Sequence, residues 1–183
     1  MENEVEQKKK SSAFKETVSF LLEIAVLLLI VFCINRYVAQ RTVVNGSSME
    51  TTLYNNDNLI VDKLSYKFSD PKRFDIIIFP HNGVYYIKRI IGMPGETVKI
   101  DETDGSIYIN GKLLDESFGR EVMDYAGIAA DGITLKENEY FCLGDNRNNS
   151  EDSRFSKVGP VKADTIIGKA IYKVYPFAES CAL

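Results

Sequence analysis

Hydrophobic residues are arranged in two ways along this chain: one long apolar block near the N-terminus is followed by many short apolar runs. Residues 18–34 are apolar except for Ser19 and Glu23. A helix needs about 20 residues to cross a hydrocarbon core of about 30 Å, and the block reaches that length when residues 35–38 are included. The pattern therefore predicts a transmembrane helix over residues 18–38.

The same block has a second interpretation, because a cleaved secretion signal also combines a basic start with an apolar run. Cleavage after Ala39 would place the bulky Tyr37 where a small residue is needed, which favours an uncleaved anchor. Lysines before the block predict that the N-terminus is inside the cell and the rest of the chain outside. We expect a disordered cytoplasmic tail over residues 1–17, a single-pass anchor in the cell membrane, and an extracytoplasmic domain over residues 39–183.

After residue 41 the pattern changes to short runs of β-branched and aromatic residues, separated by Asn, Pro and Gly. Asn110-Gly111 is a strong signal for a two-residue hairpin turn. Predicted strands cover residues 42–44, 58–62, 75–79, 84–91, 98–100, 107–109, 112–114, 140–143 and 168–174. Residues 118–132 predict an irregular insertion, and residues 162–166 predict one helical turn. The sequence therefore predicts a mainly β fold, a domain of coiled antiparallel β-sheet with one N-terminal transmembrane helix.

Composition narrows the range of functions. The 183 residues carry a formal charge of −4, their basic residues are dispersed outside the N-terminus, and no Gly-rich phosphate loop is present, so we expect no nucleic acid partner. His81 is the only histidine, which argues against a Ser-His-Asp triad and against a histidine-based metal site. We expect no metal and no cofactor. Three scattered cysteines give no disulfide framework.

Two residues stand out as a candidate nucleophile and base. Ser48 follows a glycine turn, and Lys88 lies in the predicted strand over residues 84–91. A serine hydroxyl is a poor nucleophile until a base takes its proton, and lysine is a base only when neutral. The site must therefore lower the lysine pKa from about 10.4 by roughly 2 to 3 units, mostly by desolvation.

Strand periodicity is consistent with that requirement. Alternation places Lys88 on one face with Val84, Tyr86 and Ile90, and sends Arg89 to the other face. Each residue also has a simpler interpretation when taken alone, because most strand lysines are solvated and most Gly-Ser-Ser sequences are turns.

Three segments together resemble the ordered conserved boxes of type I signal peptidases. They are Gly46-Ser47-Ser48-Met49, residues 86–96 and residues 144–154. The resemblance implies that Ser48 is the nucleophile and Lys88 the general base. It also implies that Ser150 hydrogen-bonds to the lysine and that Asp152 and Arg154 form a supporting ion pair.

The function implied by this resemblance is removal of signal peptides from exported preproteins by a membrane-anchored serine endopeptidase with a Ser/Lys dyad. The expected partners are signal peptides and the lipid bilayer. The backbone N–H of Ser48 would hold the oxyanion. Some family members add a hydroxyl two residues before the nucleophile, but that position is Gly46 here, and the sequence leaves open whether Ser47 takes this part. The resemblance also implies a substrate pocket, with walls that include Val44, Met49, Tyr86 and Ile87.

Three positions depart from the usual family pattern. Thr51 replaces a proline, Phe74 replaces a glycine, and Asn56 replaces another glycine. They leave the chemical residues intact but bear on local loop geometry. Two other functions remain open at this stage: another Ser/Lys protease, such as a self-cleaving repressor, and a non-enzymatic membrane-anchored domain that binds peptides along a sheet edge.

Overall fold

The computed structural model describes residues 2–119 and 121–183, with side chains from residue 15 onwards. The chain divides into two compact units, with the boundary in the sequence between Ala39 and Gln40. Residue 1 of the expected tail and residue 120 of the expected insertion lie outside the described residues.

The N-terminal unit is a helix. Helix α1 spans Glu2–Cys33 and continues as a π-helical turn over Ile34–Val38. Its segment Lys15–Val38 has 24 residues and is long and apolar enough to cross a membrane. The expectation of a disordered tail is wrong for the described residues, because the helix already begins at Glu2. Glu, Lys and Gln favour helix, and extending an existing helix avoids the cost of nucleation.

The second unit is built from two antiparallel sheets, which confirms the predicted mainly β fold. The larger sheet has the order β1-β2-β11-β3-β4-β9-β10, with β12 pairing to β11, and the smaller sheet has the order β7-β6-β5-β8. The strands are β1 Ala39–Val43, β2 Asn58–Asp62, β3 Ile76–His81, β4 Val84–Gly92, β5 Thr97–Ile100, β6 Ile107–Ile109, β7 Lys112–Leu113, β8 Ile133–Thr134, β9 Glu139–Leu143, β10 Val161–Lys162, β11 Gly168–Tyr175 and β12 Cys181–Ala182.

Most strands lie where the sequence predicts them, and β2 and β6 have the predicted bounds. Asn110 and Gly111 have φ angles of 50° and 79°, as the predicted two-residue hairpin turn requires. Strands β8, β10 and β12 are not predicted, because two residues are too short to show alternation. The expected helical turn is a 3₁₀ turn over Ala163–Thr165.

Strand β4 contributes side chains to two separate hydrophobic clusters of the core, and this positions the candidate site. Ile87 packs in a cluster with Val44 and Met49, whereas Ile90 packs in a second cluster with Phe79. Strand β4 pairs with β3 along its first six residues, and with β9 only from Arg89 to Gly92. Among the described strands, none pairs with residues 84–88 along the edge of β4 that pairs with β9 from Arg89 onwards.

Candidate active site

The structure brings Ser48 and Lys88 together. Lys88 Nζ donates a hydrogen bond to Ser48 Oγ at 2.6 Å. Ser48 lies in the loop after β1, which is fixed at its base by reciprocal bonds: Val44 N donates to Asp57 O at 2.8 Å, and Asn56 N donates to Val44 O at 2.9 Å. Lys88 lies on β4, opposite Ile77 of β3. A rigid strand therefore carries the amine, and a pinned loop carries the hydroxyl.

Lys88 is surrounded by protein rather than water, because only 4% of the residue is exposed. Burial lowers the pKa of its amine from 10.5 to about 8, and the negative charge of Asp152 opposes that shift only in part. The Tyr86 ring covers one side of the amine, with its centroid 5.2 Å from Nζ. Near pH 8 about half of the molecules therefore hold a neutral lysine that can accept a proton.

Arg89 has the opposite surroundings. Its guanidinium donates two hydrogen bonds to Asp145, at 2.8 and 2.6 Å, and stacks 3.5 Å from the centroid of the Phe118 ring. Thr52, close after the nucleophile loop, donates to the same carboxylate at 2.5 Å. This second buried network ties the far side of β4 to the loop that carries Ser48.

Asp152 and Arg154 form the ion pair expected from the resemblance. Arg154 Nε donates to Asp152 Oδ1 at 2.8 Å, and both side chains are almost fully buried. The other carboxylate oxygen accepts a bond from Gly144 N at 3.1 Å. The pair therefore holds together the two ends of the segment 144–154.

Ser150 lies near the dyad but does not make the expected bond. Its buried Oγ has no hydrogen-bond partner among the described residues, while Lys88 bonds to Ser48. A side chain at Gly144 would collide with both Ser150 Oγ and Ser48 O, so the glycine lets these two segments approach closely.

The backbone around Ser48 is oriented by the segment 144–154. Asn146 Nδ2 donates to Ser47 O at 3.1 Å, and Asn146 N donates to Ser48 O at 3.1 Å. Because the C=O and N–H of a trans peptide point in opposite directions, holding Ser47 O turns the Ser48 N–H away from Asn146. The side chain of Ser47 is also occupied, since its Oγ accepts a bond from Asn149 Nδ2 at 2.7 Å.

A groove of about 600 Å³ runs past the two candidate residues. All four residues expected in the substrate pocket line it: Val44, Met49, Tyr86 and Ile87. Sequence reasoning did not assign nine further lining residues to the pocket: Thr42, Val43, Asn45, Gly46, Ser47, Val84, Tyr85, Asn149 and Glu151. Period two identifies Val84, which shares a face with Tyr86, but no sequence signal shows which way the loop residues Asn149 and Glu151 point.

The loop departures preserve the backbone shape that glycine favours. Phe74 and Asn56 both adopt left-handed φ angles, of 71° and 72°. Asparagine tolerates this region, whereas an ordinary residue there costs about 1 to 2 kcal/mol. Phe74 gains a compensating contact, because its ring lies 5.5 Å from that of Phe118. At the third departure, the peptide bond between Glu50 and Thr51 is cis.

Comparison with known proteins gives one consistent family. Residues 17–175 match the family described as signal peptidase, peptidase S26. Signal peptidase I T of Bacillus subtilis is 35% identical over 183 residues, which cover 94% of this chain and 91% of that protein. Probable signal peptidase I-2 of Synechocystis is 37% identical over 153 residues, which cover 78% of this chain and 66% of that protein. A crystal structure of a signal peptidase I from Enterococcus faecalis aligns with 38% identity and a TM-score of 0.47, covering 55% of this chain and 97% of that one.

Proposed function

Because this chain belongs to the signal peptidase family, peptidase S26, we propose that it is a membrane-anchored serine endopeptidase that removes signal peptides from exported preproteins with a Ser48/Lys88 dyad. The observation that carries the proposal is the 2.6 Å hydrogen bond between the Lys88 amine and the Ser48 hydroxyl. Burial of the amine lowers its pKa to about 8, which lets it act as a base near neutral pH.

The proposed reaction has two stages. Ser48 Oγ attacks the carbonyl carbon of the scissile peptide bond while neutral Lys88 takes the hydroxyl proton. The tetrahedral intermediate collapses to an acyl-serine, the C–N bond breaks, and Lys88 returns the proton to the leaving amine. Water, deprotonated by Lys88, then hydrolyses the ester. The Ser48 N–H is the proposed oxyanion donor, and single donors of this kind contribute about 3 kcal/mol.

Three residues of the segment 144–154 have supporting roles in this proposal. Asp152 and Arg154 hold the two ends of the segment together through their buried ion pair and the bond from Gly144 N. In the resting arrangement, the buried hydroxyl of Ser150 has no hydrogen-bond partner within the described part of the chain. We assign it to Lys88 after acylation, when the Ser48 oxygen has become an ester oxygen and is a weaker acceptor.

The substrate is proposed to bind as an added β-strand. No strand in the described part of the chain pairs with one edge of residues 84–88 of β4, and β1 is the edge strand at the other end of the larger sheet. Residues from β1, the nucleophile loop and β4 all line the groove, so an extended peptide can hydrogen-bond along it. Alternate side chains of such a peptide point into the groove. The family resemblance assigns Val44, Met49, Tyr86 and Ile87 to the pockets one and three residues before the cut, and all four line the groove.

The apolar helix Lys15–Val38 is proposed to be the membrane anchor. Lysines before it favour a cytoplasmic N-terminus and an extracytoplasmic catalytic domain from residue 39. Ser48 follows the end of this helix by ten residues, which keeps the reaction close to the surface where signal peptides emerge.

The deciding experiment is cleavage of a preprotein with an alanine-type cleavage site by the purified full-length protein in detergent. The expected products are the mature protein and the signal peptide, with Ser48→Ala as the inactive control. An acyl-serine probe should label Ser48 in the wild type. Binding of the preprotein without cleavage or labelling would instead indicate a non-enzymatic peptide-binding domain.

A further inference from the structure

Glu151 connects the groove to the surface of the protein. Unlike its buried neighbours Ser150 and Asp152, its side chain is 38% exposed and lines the groove. Each of its carboxylate oxygens has one partner: Tyr86 Oη donates to Oε1 at 2.9 Å, and Lys157 Nζ donates to Oε2 at 2.8 Å. The carboxylate is therefore fixed between a groove residue and a surface lysine.

Tyr86 is the groove residue that this arrangement holds. Its ring lies 5.9 Å from the Phe79 ring and 5.0 Å from the His81 ring, so aromatic neighbours restrain the body of the side chain. The bond to Glu151 restrains its tip. Tyr86 also lies on the same strand face as Lys88, two residues away, so its ring borders the part of the groove nearest the dyad.

The Tyr86 ring limits the size of the substrate side chain beside it only while the ring is held in place. A tyrosine side chain has two rotatable bonds, and a ring that turns aside would leave space for a larger substrate side chain. We propose that Glu151 is a specificity-determining positioning residue: its carboxylate holds the Tyr86 ring in place, and the held ring restricts the substrate residue immediately before the cut to small side chains. This inference rests on the proposed function, because it concerns a pocket of the same site.

Glu151 also has an electrostatic effect, which the test must separate from positioning. Its negative charge partly opposes the lowering of the Lys88 pKa by burial. Removing that charge therefore lowers this pKa further and shifts the pH profile of cleavage to lower pH. Glu151→Gln removes the charge but keeps an oxygen that accepts the bond from Tyr86. Glu151→Ala removes both, and Tyr86→Phe removes the bond while keeping the ring and the charge.

The experiment compares kcat/KM for two preproteins that differ only in Ala or Leu before the cut. We expect Glu151→Ala and Tyr86→Phe each to lower the Ala-to-Leu ratio at least about fivefold, a fraction of what a small apolar pocket can discriminate. The double variant should be no worse than either single variant, because both remove the same bond. For Glu151→Gln, the Ala-to-Leu ratio should stay within twofold of the wild-type ratio. Lys157→Ala removes only the outer contact of Glu151. It should therefore lower the Ala-to-Leu ratio less than Glu151→Ala does.

Two results would overturn the proposal. One is an Ala-to-Leu ratio in Glu151→Ala that stays within twofold of the wild-type ratio. The other is a decrease of this ratio in Glu151→Gln that equals the decrease in Glu151→Ala. Circular dichroism and thermal melting establish that the variants are folded.

A parallel measurement in the Ser48→Ala background separates this inference from the proposed reaction. There, calorimetry compares the affinities of two uncleaved signal peptides, with Ala or Leu before the cut. Loss of Ala preference on adding Glu151→Ala supports the proposal even if the wild type cleaves nothing, and an unchanged preference rejects it.

Discussion

Lys88 and Arg89 are consecutive residues of β4, both 4% exposed, and they meet opposite electrostatic surroundings. Arg89 binds the Asp145 carboxylate through two hydrogen bonds, whereas the Lys88 amine bonds to the neutral Ser48 hydroxyl. Arginine keeps its charge in proteins, whereas a buried lysine amine without a direct carboxylate partner loses its proton more easily. One strand thus places a permanent cation on one face and a candidate base on the other.

The first prediction concerns the dyad. Ser48→Ala and Lys88→Ala should each lower kcat/KM for preprotein cleavage by on the order of a thousandfold or more, because neither group works without the other. The double variant should be little worse than either single variant. Cleavage assays with folded, purified variants measure this. Near-normal turnover in Lys88→Ala would rule out lysine as the base and bring His81 back into consideration.

The second prediction follows from the lowered pKa of Lys88. The reaction needs the neutral amine, so kcat/KM should rise with pH through about 8 and level off above it. The measurement is a pH profile of cleavage with a single preprotein. A profile that is flat between pH 6 and pH 10 would contradict this assignment of the base.

The third prediction is that Lys88 destabilises the folded protein. Its folded-state pKa of about 8 lies below the usual 10.5, so below pH 8 folding must bury a charged amine at a cost of about 3 kcal/mol. That cost decreases as pH rises from 8 to 10.5. Lys88→Met, which keeps an unbranched side chain of nearly the same length without its charge, should therefore be inactive but more stable at pH 7.

Denaturant unfolding of Lys88→Met and the wild type at several pH values is the measurement. The stability gain should be largest below pH 8 and should shrink towards pH 10.5. Ser48→Ala is the matched control, because it removes activity without removing the buried charge. A gain that is independent of pH would show that packing, and not ionisation, separates the two proteins.

The fourth prediction concerns the ion pair in the segment 144–154. Asp152→Ala leaves Arg154 buried without its carboxylate, and removal of one partner of a buried pair costs about 3 to 5 kcal/mol. Melting temperature and cleavage rate should therefore fall together. Replacing both partners with apolar residues, as in Asp152→Leu with Arg154→Met, should recover part of the stability. Full stability with lost activity in Asp152→Ala would instead give Asp152 a direct part in the reaction.

Strand periodicity and turn preference account for the parts of this fold and site that the sequence predicts. Alternation along β4 correctly separates Lys88 from Arg89, and the Asn110-Gly111 turn follows from backbone preference alone. Local patterns do not determine long-range contacts between loops. The positions of the buried Ser150 hydroxyl and of the groove-facing Glu151 carboxylate both depend on how the segment 144–154 packs against the nucleophile loop.

Phe74 illustrates a different limit. The sequence shows a departure from glycine but does not reveal whether the loop changes shape or the side chain accepts an unfavourable φ angle. The structure keeps the left-handed backbone, and the ring of Phe74 packs near Phe118, which in turn covers Arg89. The balance between backbone cost and ring contact is a tertiary property, so local propensity cannot predict it.

The last prediction concerns substrate specificity. Three of the four proposed pocket residues, Val44, Met49 and Ile87, are at most 8% exposed and belong to one packed cluster, so these walls have little freedom to move. A larger substrate side chain must then displace packed atoms, and overfilling such a site costs roughly 1 to 3 kcal/mol. Leu in place of Ala, one or three residues before the cut, should slow cleavage at least about tenfold. The residue between them points away from the groove in an extended strand, so Leu there should have little effect and is the internal control. Rates for a panel of preproteins changed at these three positions give the measurement, and equal rates for Leu and Ala immediately before the cut would contradict the assigned pocket.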